Sequence, residues 1–457
     1  MTTSASPDAQ RAADGPTRLL ARWVAGLDDD AIGPAAMEWS RHALLDWLAV
    51  TLAGTTEPLA RMLRDEYAGP HGDAPCTLPG TGRCARVHDA ALVNGATGHA
   101  LDFDDVSARM LGHPTAPVAP AALAFGQVRG VSGRALLRAL VVGHEVEARI
   151  GEWLGTSHYA HGFHTTGTIG SFGAAAACAT LAGLDAARAE QALGLAATQA
   201  AGLKCMFGTM AKPLHAGRAA MNGVMAVQLA ARGFTARDGA IECEQGFART
   251  QAPAAGTFPA AIDTRDGFAI ETTLFKYHAS CYLTHSTIEA VRLLRERHGL
   301  ALADLDALTI AVPRTHRGVC DIVEPRTGLE VKFSIRHLAA LALAGVDTAS
   351  LDLYTDAIAL DERYGAARAR VSLVDDDGPD RHAARVTIRT RDGRSLAERC
   401  DVGVPARDAA AQWQRLVAKA RTITVPVIGG QRFERLVAAI AALDSAPTLQ
   451  PLLEAIA

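Results

Sequence analysis

The sequence predicts a mainly α protein, with one large all-helical domain formed by both chain ends and a smaller α+β domain inserted into it. Three observations carry this. Ala- and Leu-rich amphipathic segments fill residues 16–270 and return over 405–457. Over 271–404 the apolar period changes from that of a helix to strict alternation. The 457 residues also exceed what one core holds, since roughly 150 residues per domain is the usual measure.

Residues 1–15 read as a disordered tail. From Pro34, a first-turn proline, the segment to 53 sets Met37, Leu44, Leu45, Trp47 and Leu48 among Arg41, His42 and Asp46, an amphipathic helix. A second helix covers about 58–67. The Gly- and Pro-rich 69–83 reads as punctuation, and a helix over 87–101 delivers a run of Asp residues at its end. After Pro114 and Pro117 a small-residue helix ends near Gly126. Ser132 caps a long helix to about Trp153, whose polar face carries His144, Glu145 and Glu147. His158, His161 and His164 fall in the following loop, an Ala-rich helix begins near Thr168, another spans about 185–201, and one more runs to Ala231. Small residues on successive helices allow close axial approach, which implies a bundle with buried Ala and Gly seams. Then Leu308, Ile310 and Val312 alternate, as do Val371 with Leu373 and Val386 with Ile388, and Asp392-Gly393 is a hairpin-type turn. Helical stretches over 287–298, 334–343 and 355–370 lie between these strands. The segments 406–420 and 431–457 are helical again, and their natural home is the first bundle, which makes the α+β domain an insertion with a cleft beside it.

Composition excludes several classes of function. A net charge of -4 and a pI near 6.5 draw the chain to neither nucleic acid nor an acidic membrane surface. No run of 18 apolar residues and no leader-like apolar stretch is present, and eight Cys lack any CxxC pair, so a soluble, cytoplasmic protein is expected. GTGR at 80–83 and GTIGSFG at 167–173 are neither phosphate loops nor dinucleotide fingerprints, and Ser171 is not in a GxSxG elbow.

Chemistry concentrates between Asn94 and Pro120, where His99, Asp102, Asp104, Asp105 and His113 stand among Ala, Gly and Pro. Short acids and imidazoles flanked by residues with little side chain suit a lined cavity. His158, His161 and His164 in HYAHGFH share a spacing of three, but HExxH is absent and no fourth ligand is indicated, so no metal is assigned. The remaining acid/base candidates are His164, Lys212 and His215, with Arg218 nearby, and Lys276, His278 and His285 in FKYHASCYLTHS. Lys212 and His215 stand at a helix start, whose free N–H groups favour a carboxylate.

NGATGHALDFDD followed by HP, GFHTTGTIGSFGAAAA, KPLHAGRAAMNGVMAVQLAARGFTA, FKYHASCYLTHSTIEA and KFSIRHLAALALAG together resemble the MmgE/PrpD (2-methylcitrate dehydratase) superfamily. That family includes 2-methylcitrate dehydratases, cis-aconitate decarboxylases and iminodisuccinate epimerases. The resemblance implies an α+β lid, a homodimer, no metal or organic cofactor, and a small di- or tricarboxylate substrate. It also implies a catalytic set of Asp102, His113, His164, Lys212 and, from the lid, His285. His113 and His164 would transfer protons, Lys212 would clamp a carboxylate and Asp102 would orient an imidazole. Substrate contacts are expected from His215, Arg218, Lys276, Tyr277, His278 and Val106. His278 stands where many relatives have Pro, and Val106 where dehydratase and decarboxylase members have Thr. The expected activity is that of a hydro-lyase of the 2-methylcitrate dehydratase type. Epimerisation and cis-aconitate decarboxylation are alternatives within the same chemistry, and a non-catalytic helical binding protein is the alternative outside it.

Overall fold

A proline in the first turn opens each of three early helices, α1 (Pro16–Gly26), α2 (Pro34–Gly54) and α3 (Pro58–Tyr67). Its fixed φ suits the helix start, and its missing N–H would have had no partner there. The structure, a computed structural model, describes residues 15–69, 74–376, 378 and 380–457. Apart from Gly15, the expected tail lies outside the described residues. The chain is mainly α and divides into two compact units, Met1–Phe275 with Ala409–Ala457, and Lys276–Asp408.

In the first unit α4 (Val87–Gly98), α5 (Thr115–Arg129), α6 (Gly133–Ala160), α7 (Thr165–Ala182), α8 (Ala186–Ala197) and α9 (Ala211–Ala231) follow in order. Ser132 caps α6 by accepting from Ala135 N at 3.2 Å, and Asp185 caps α8 by accepting from Arg188 N at 2.8 Å. Glycine lets three of these helices approach to backbone contact. A Cβ on Gly95 of α4 would lie 2.8 Å from Gly217 Cα of α9, one on Gly217 would collide with the Leu92 carbonyl oxygen, and one on Gly223 would lie 2.5 Å from Ala174 C of α7.

Five local expectations are corrected. The stretch read as punctuation, in a domain read as wholly helical, holds an antiparallel hairpin of β1 (Cys76–Leu78) and β2 (Arg83–Ala85). Gly80 and Gly82, at φ +74 and +62, supply its turn, and strands of three residues are too short to show a period. α4 ends at Gly98 rather than 101, after which Asp102 takes a left-handed backbone at φ +50. α6 continues past Trp153 through a break at Gly155, so His158 is a buried helical residue and not part of a loop. α7 begins at Thr165, with His164 at its N-cap position, and α5 runs from Thr115 through Pro117 and Pro120 to Arg129.

The final helices α12 (Ala409–Ile428), α13 (Gly430–Ala441) and α14 (Gln450–Ile456) complete the same unit. Lys419 of α12 is buried and donates to Asp46 Oδ1 of α2 at 2.6 Å and to the Phe103 carbonyl at 2.7 Å.

The second unit carries α10 (His285–His298), α11 (Ile335–Leu343) and a four-stranded sheet of order β4-β3-β5-β6. β3 (Leu305–Val312) pairs parallel with β4 (Val371–Asp375) and antiparallel with β5 (Ala383–Thr390), which pairs antiparallel with β6 (Ser395–Asp401). Alternation delivers Leu308, Ile310, Val312, Leu373, Val386 and Ile388 to the unit's core, where α10 and α11 pack. Gly393 turns the β5–β6 hairpin at φ +88. Among the described residues no helix is long and apolar enough to cross a membrane.

The seam predicts a sharp asymmetry between glycines. Gly217→Ala, forced against the Leu92 carbonyl, should cost about 1–3 kcal/mol in urea unfolding. Gly365→Ala, a helical glycine with open space at its Cβ position, should be neutral or stabilising by about 0.4–1 kcal/mol. Equal effects at the two positions would rule out backbone contact as the reason for the seam.

Candidate active site

Three helix ends meet in the first unit. The segment after α4 supplies His99, Asp102, Asp104 and His113, the N-cap of α7 supplies His164, and the first turns of α9 supply Lys212 and His215. Asp104 lies at the centre with no solvent exposure. His99 Nδ1 is 2.8 Å from its Oδ2 and 3.0 Å from its Oδ1, and His113 Nδ1 is 3.2 Å from Oδ2. Burial alone would push the Asp104 carboxyl up, but the imidazoles of His113 and His99 outweigh it and hold the group well below the usual carboxylate range. Asp104 is therefore ionised in the interior.

The imidazoles respond in the opposite sense. Burial drives His99 down to about 4, a shift opposed by Asp104 and reinforced by Lys212 and His113. Burial likewise takes His164 far below its ordinary value, with His99, Lys212, His113 and His215 adding to the effect. His215 is lowered by burial and by Lys212. His99 and His164 are thus neutral near pH 7. The His164 and His215 Nδ1 atoms are 3.1 Å apart, so one carries the proton and donates it to the other. The His99 ring centroid lies 4.5 Å from that of His113 and 5.8 Å from that of His164.

Asp102, half exposed, forms the outer edge. Its Oδ2 is 3.0 Å from Lys212 Nζ and its Oδ1 3.4 Å from His113 Nε2. The Phe207 ring closes the other side, 5.0 Å from the His164 ring and 5.4 Å from Lys212 Nζ. Of the residues expected from sequence, Asp102, His113, His164, Lys212 and His215 are brought together here. Arg218 is exposed, with its guanidinium against Met221. Val106 is half-buried, and its backbone pairs with Leu274.

Sequence reasoning put His99 and Asp104 in the right cluster but gave them no role. The only signal was the DFDD run, which cannot say which acid turns inward. Asp105 turns elsewhere: it accepts from Thr115 N and Oγ1, and the Thr115 hydroxyl also lies 3.0 Å from His144 Nε2. Burial, and then the nearby Asp46, raise the Asp105 carboxyl well above its ordinary value.

The HYAHGFH run is not a ligand set. His158 is held by Thr168 Oγ1 at 2.7 Å and the Gln251 carbonyl at 3.0 Å, while His164 faces His215. Among the described residues, the group whose donor atoms could converge on an ion is His99, Asp102, Asp104 and His113, all within 4.8 Å of one another. In this structure the Nδ1 atom of each of its imidazoles faces the Asp104 carboxylate instead.

The second unit has a histidine cluster of its own. His278 is spanned by Thr348 Oγ1 at 2.7 Å and Glu289 Oε1 at 3.0 Å, so both ring nitrogens are engaged within the fold. His285 is buried 4.9 Å, ring to ring, from His278, with Nε2 3.3 Å from the Ser280 carbonyl oxygen. Burial, then His278 and Lys276, lower its pKa well below the ordinary value. Lys276 is buried and Tyr277 half-buried in the same unit.

Cis-aconitate decarboxylase from Aspergillus terreus is 26% identical over 471 residues, covering 97% of this chain and 96% of its own. The human cis-aconitate decarboxylase is 26% identical over 320 residues, covering 65% of this chain and 64% of its own. Residues 18–256 match the MmgE/PrpD N-terminal domain and residues 278–445 the MmgE/PrpD C-terminal domain. The chain belongs to the MmgE/PrpD family.

Proposed function

We propose that the protein is a lyase acting on a small di- or tricarboxylate, and that its reaction is the decarboxylation of a cis-aconitate-like acid. The observation that carries this reading is the convergence of neutral buried imidazoles with one ammonium at a half-exposed edge. Loss of carbon dioxide breaks a C–C bond and leaves its electron pair on carbon, spread into the neighbouring unsaturated carboxylate. That charge needs a cation and then a proton. Lys212 holds the carboxylate and stabilises the developing charge, His113 delivers the proton to carbon, and the neutral His164 ring lies beside them. Asp102 keeps the Lys212 ammonium and the His113 ring facing the same point. The relatives matched over nearly the whole chain are cis-aconitate decarboxylases, which favours decarboxylation over the hydro-lyase expected from sequence.

A panel of cis-aconitate, 2-methylcitrate, citrate and related acids in deuterated water separates the possibilities. Carbon dioxide release with one deuterium fixed in the product is expected. Water loss without carbon dioxide would establish a dehydratase, and silence on every acid would end the lyase reading.

Val106 bears on which acid is preferred. A Val cannot hydrogen-bond a substrate oxygen, and an oxygen left unpaired costs about 1–3 kcal/mol. Val106→Thr should therefore raise kcat/KM for cis-aconitate by about tenfold relative to the acid the native enzyme prefers. An unchanged ratio between the two acids would mean that position 106 does not contact substrate.

The four-residue donor group gives a separate test. Turnover should survive exhaustive dialysis against a chelator, because proton transfer by these rings needs no ion. Complete loss of activity, restored only by zinc or another divalent metal, would instead make that group a metal centre.

A further inference from the structure

We propose that Asp104 is a positioning residue that fixes His99 and His113 as Nδ1–H tautomers, so that the proton His113 exchanges is confined to Nε2. This rests on the reading of His113 as a proton-transfer group. An ionised carboxylate has no proton to donate and can only accept. Each ring nitrogen turned to it must then carry hydrogen. The ring atoms turned to Asp104 are His99 Nδ1, at 2.8 Å, and His113 Nδ1, at 3.2 Å. The His113 contact falls short of hydrogen-bond geometry in this structure, but Nδ1 is buried without a hydrogen-bond partner and the Asp104 carboxylate is the acceptor beside it. With Nδ1–H fixed, Nε2 is the one His113 atom whose proton can come and go.

Nε2 is also the atom that faces outward. It lies 3.4 Å from Asp102 Oδ1, on the side where Asp102 meets Lys212 and is half exposed. The acid or base atom thus stands next to the carboxylate clamp. His99 is the second ring on the same carboxylate, with its own Nε2 buried and without a hydrogen-bond partner. It shares Asp104 and its side chain is shut off from solvent, so it acts as a fixed donor that keeps the carboxylate turned toward His113. The groups facing Asp104 and its two rings are Asp102, Lys212, His164 and, beyond His164, His215.

The tautomer can be read directly in the full-length protein labelled with ¹⁵N-histidine, using long-range ¹H–¹⁵N correlation spectra with His99→Gln and His113→Gln for assignment. Both rings should show protonated Nδ1. Asp104→Asn preserves shape but offers an N–H where the carboxylate accepted, so the Nδ1–H signature should be lost. On the substrate the panel identifies, kcat should fall ~10²-fold or more, with KM nearly unchanged and an altered pH profile. Asp104→Glu should recover part of the rate. Unprotonated Nδ1 on wild-type His113, or wild-type tautomers and pH profile in Asp104→Asn, would overturn the proposal. The spectra need no turnover: if they come out as expected while every acid is inert, the positioning role stands and the lyase reading fails.

Discussion

The contact between Gly95 and Gly217 is the constraint on which the site depends. The acids and imidazoles follow α4, and Lys212 and His215 open α9, so the two groups meet only if these helices lie close enough along their length. Any side chain at either glycine would separate the backbones. The segment after α4 then passes through Asp102, itself left-handed at φ +50, whose carboxylate meets Lys212 while Asp104, two residues later, is buried. A packing contact devoid of functional groups therefore sets the distance between a carboxylate and an ammonium.

Three acids within four positions show how environment divides one residue type into three uses. Asp102 stays half exposed and meets a cation, Asp104 is buried yet ionised between two imidazoles, and Asp105 is buried beside Asp46 and pushed toward its neutral form. Desolvation acts on both buried groups in the same direction. The neighbours decide the outcome, because two imidazoles lower the energy of a carboxylate whereas another carboxylate raises it. An interior with all three ionised would carry like charges with too few partners.

Much of this was legible beforehand, and the rest was not for identifiable reasons. The periodicities of β3 and β5 are properties of single segments, so sequence alone locates them, whereas α2 was placed correctly but is not the amphipathic helix expected, since His42 and Asp46 are buried with its apolar residues. Asp102, His113, His164, Lys212 and His215 stood out singly as unusual residue types in Ala- and Gly-rich surroundings, and the family resemblance is what implied that they share one pocket. The roles of His99 and Asp104 were hidden, since spacing along DFDD says that acids are near but not which way each turns. The β1–β2 hairpin escaped because its strands are shorter than any period, and His158 was misplaced because Gly155 looks like a helix end but only interrupts α6.

Lys419 has a consequence for how the molecule is made. Its ammonium holds the carbonyl of Phe103, the residue between Asp102 and Asp104, across 316 positions of sequence. During synthesis at about 5–20 residues per second, α4, α7 and α9 all leave the ribosome well before Lys419 exists. For an interval on the order of 15–60 s the acids stand on a nascent chain without that anchor or its Asp46 pair. A ribosome that stalls or terminates before α12 would release a chain in which the peptide between Asp102 and Asp104 is left without this tie.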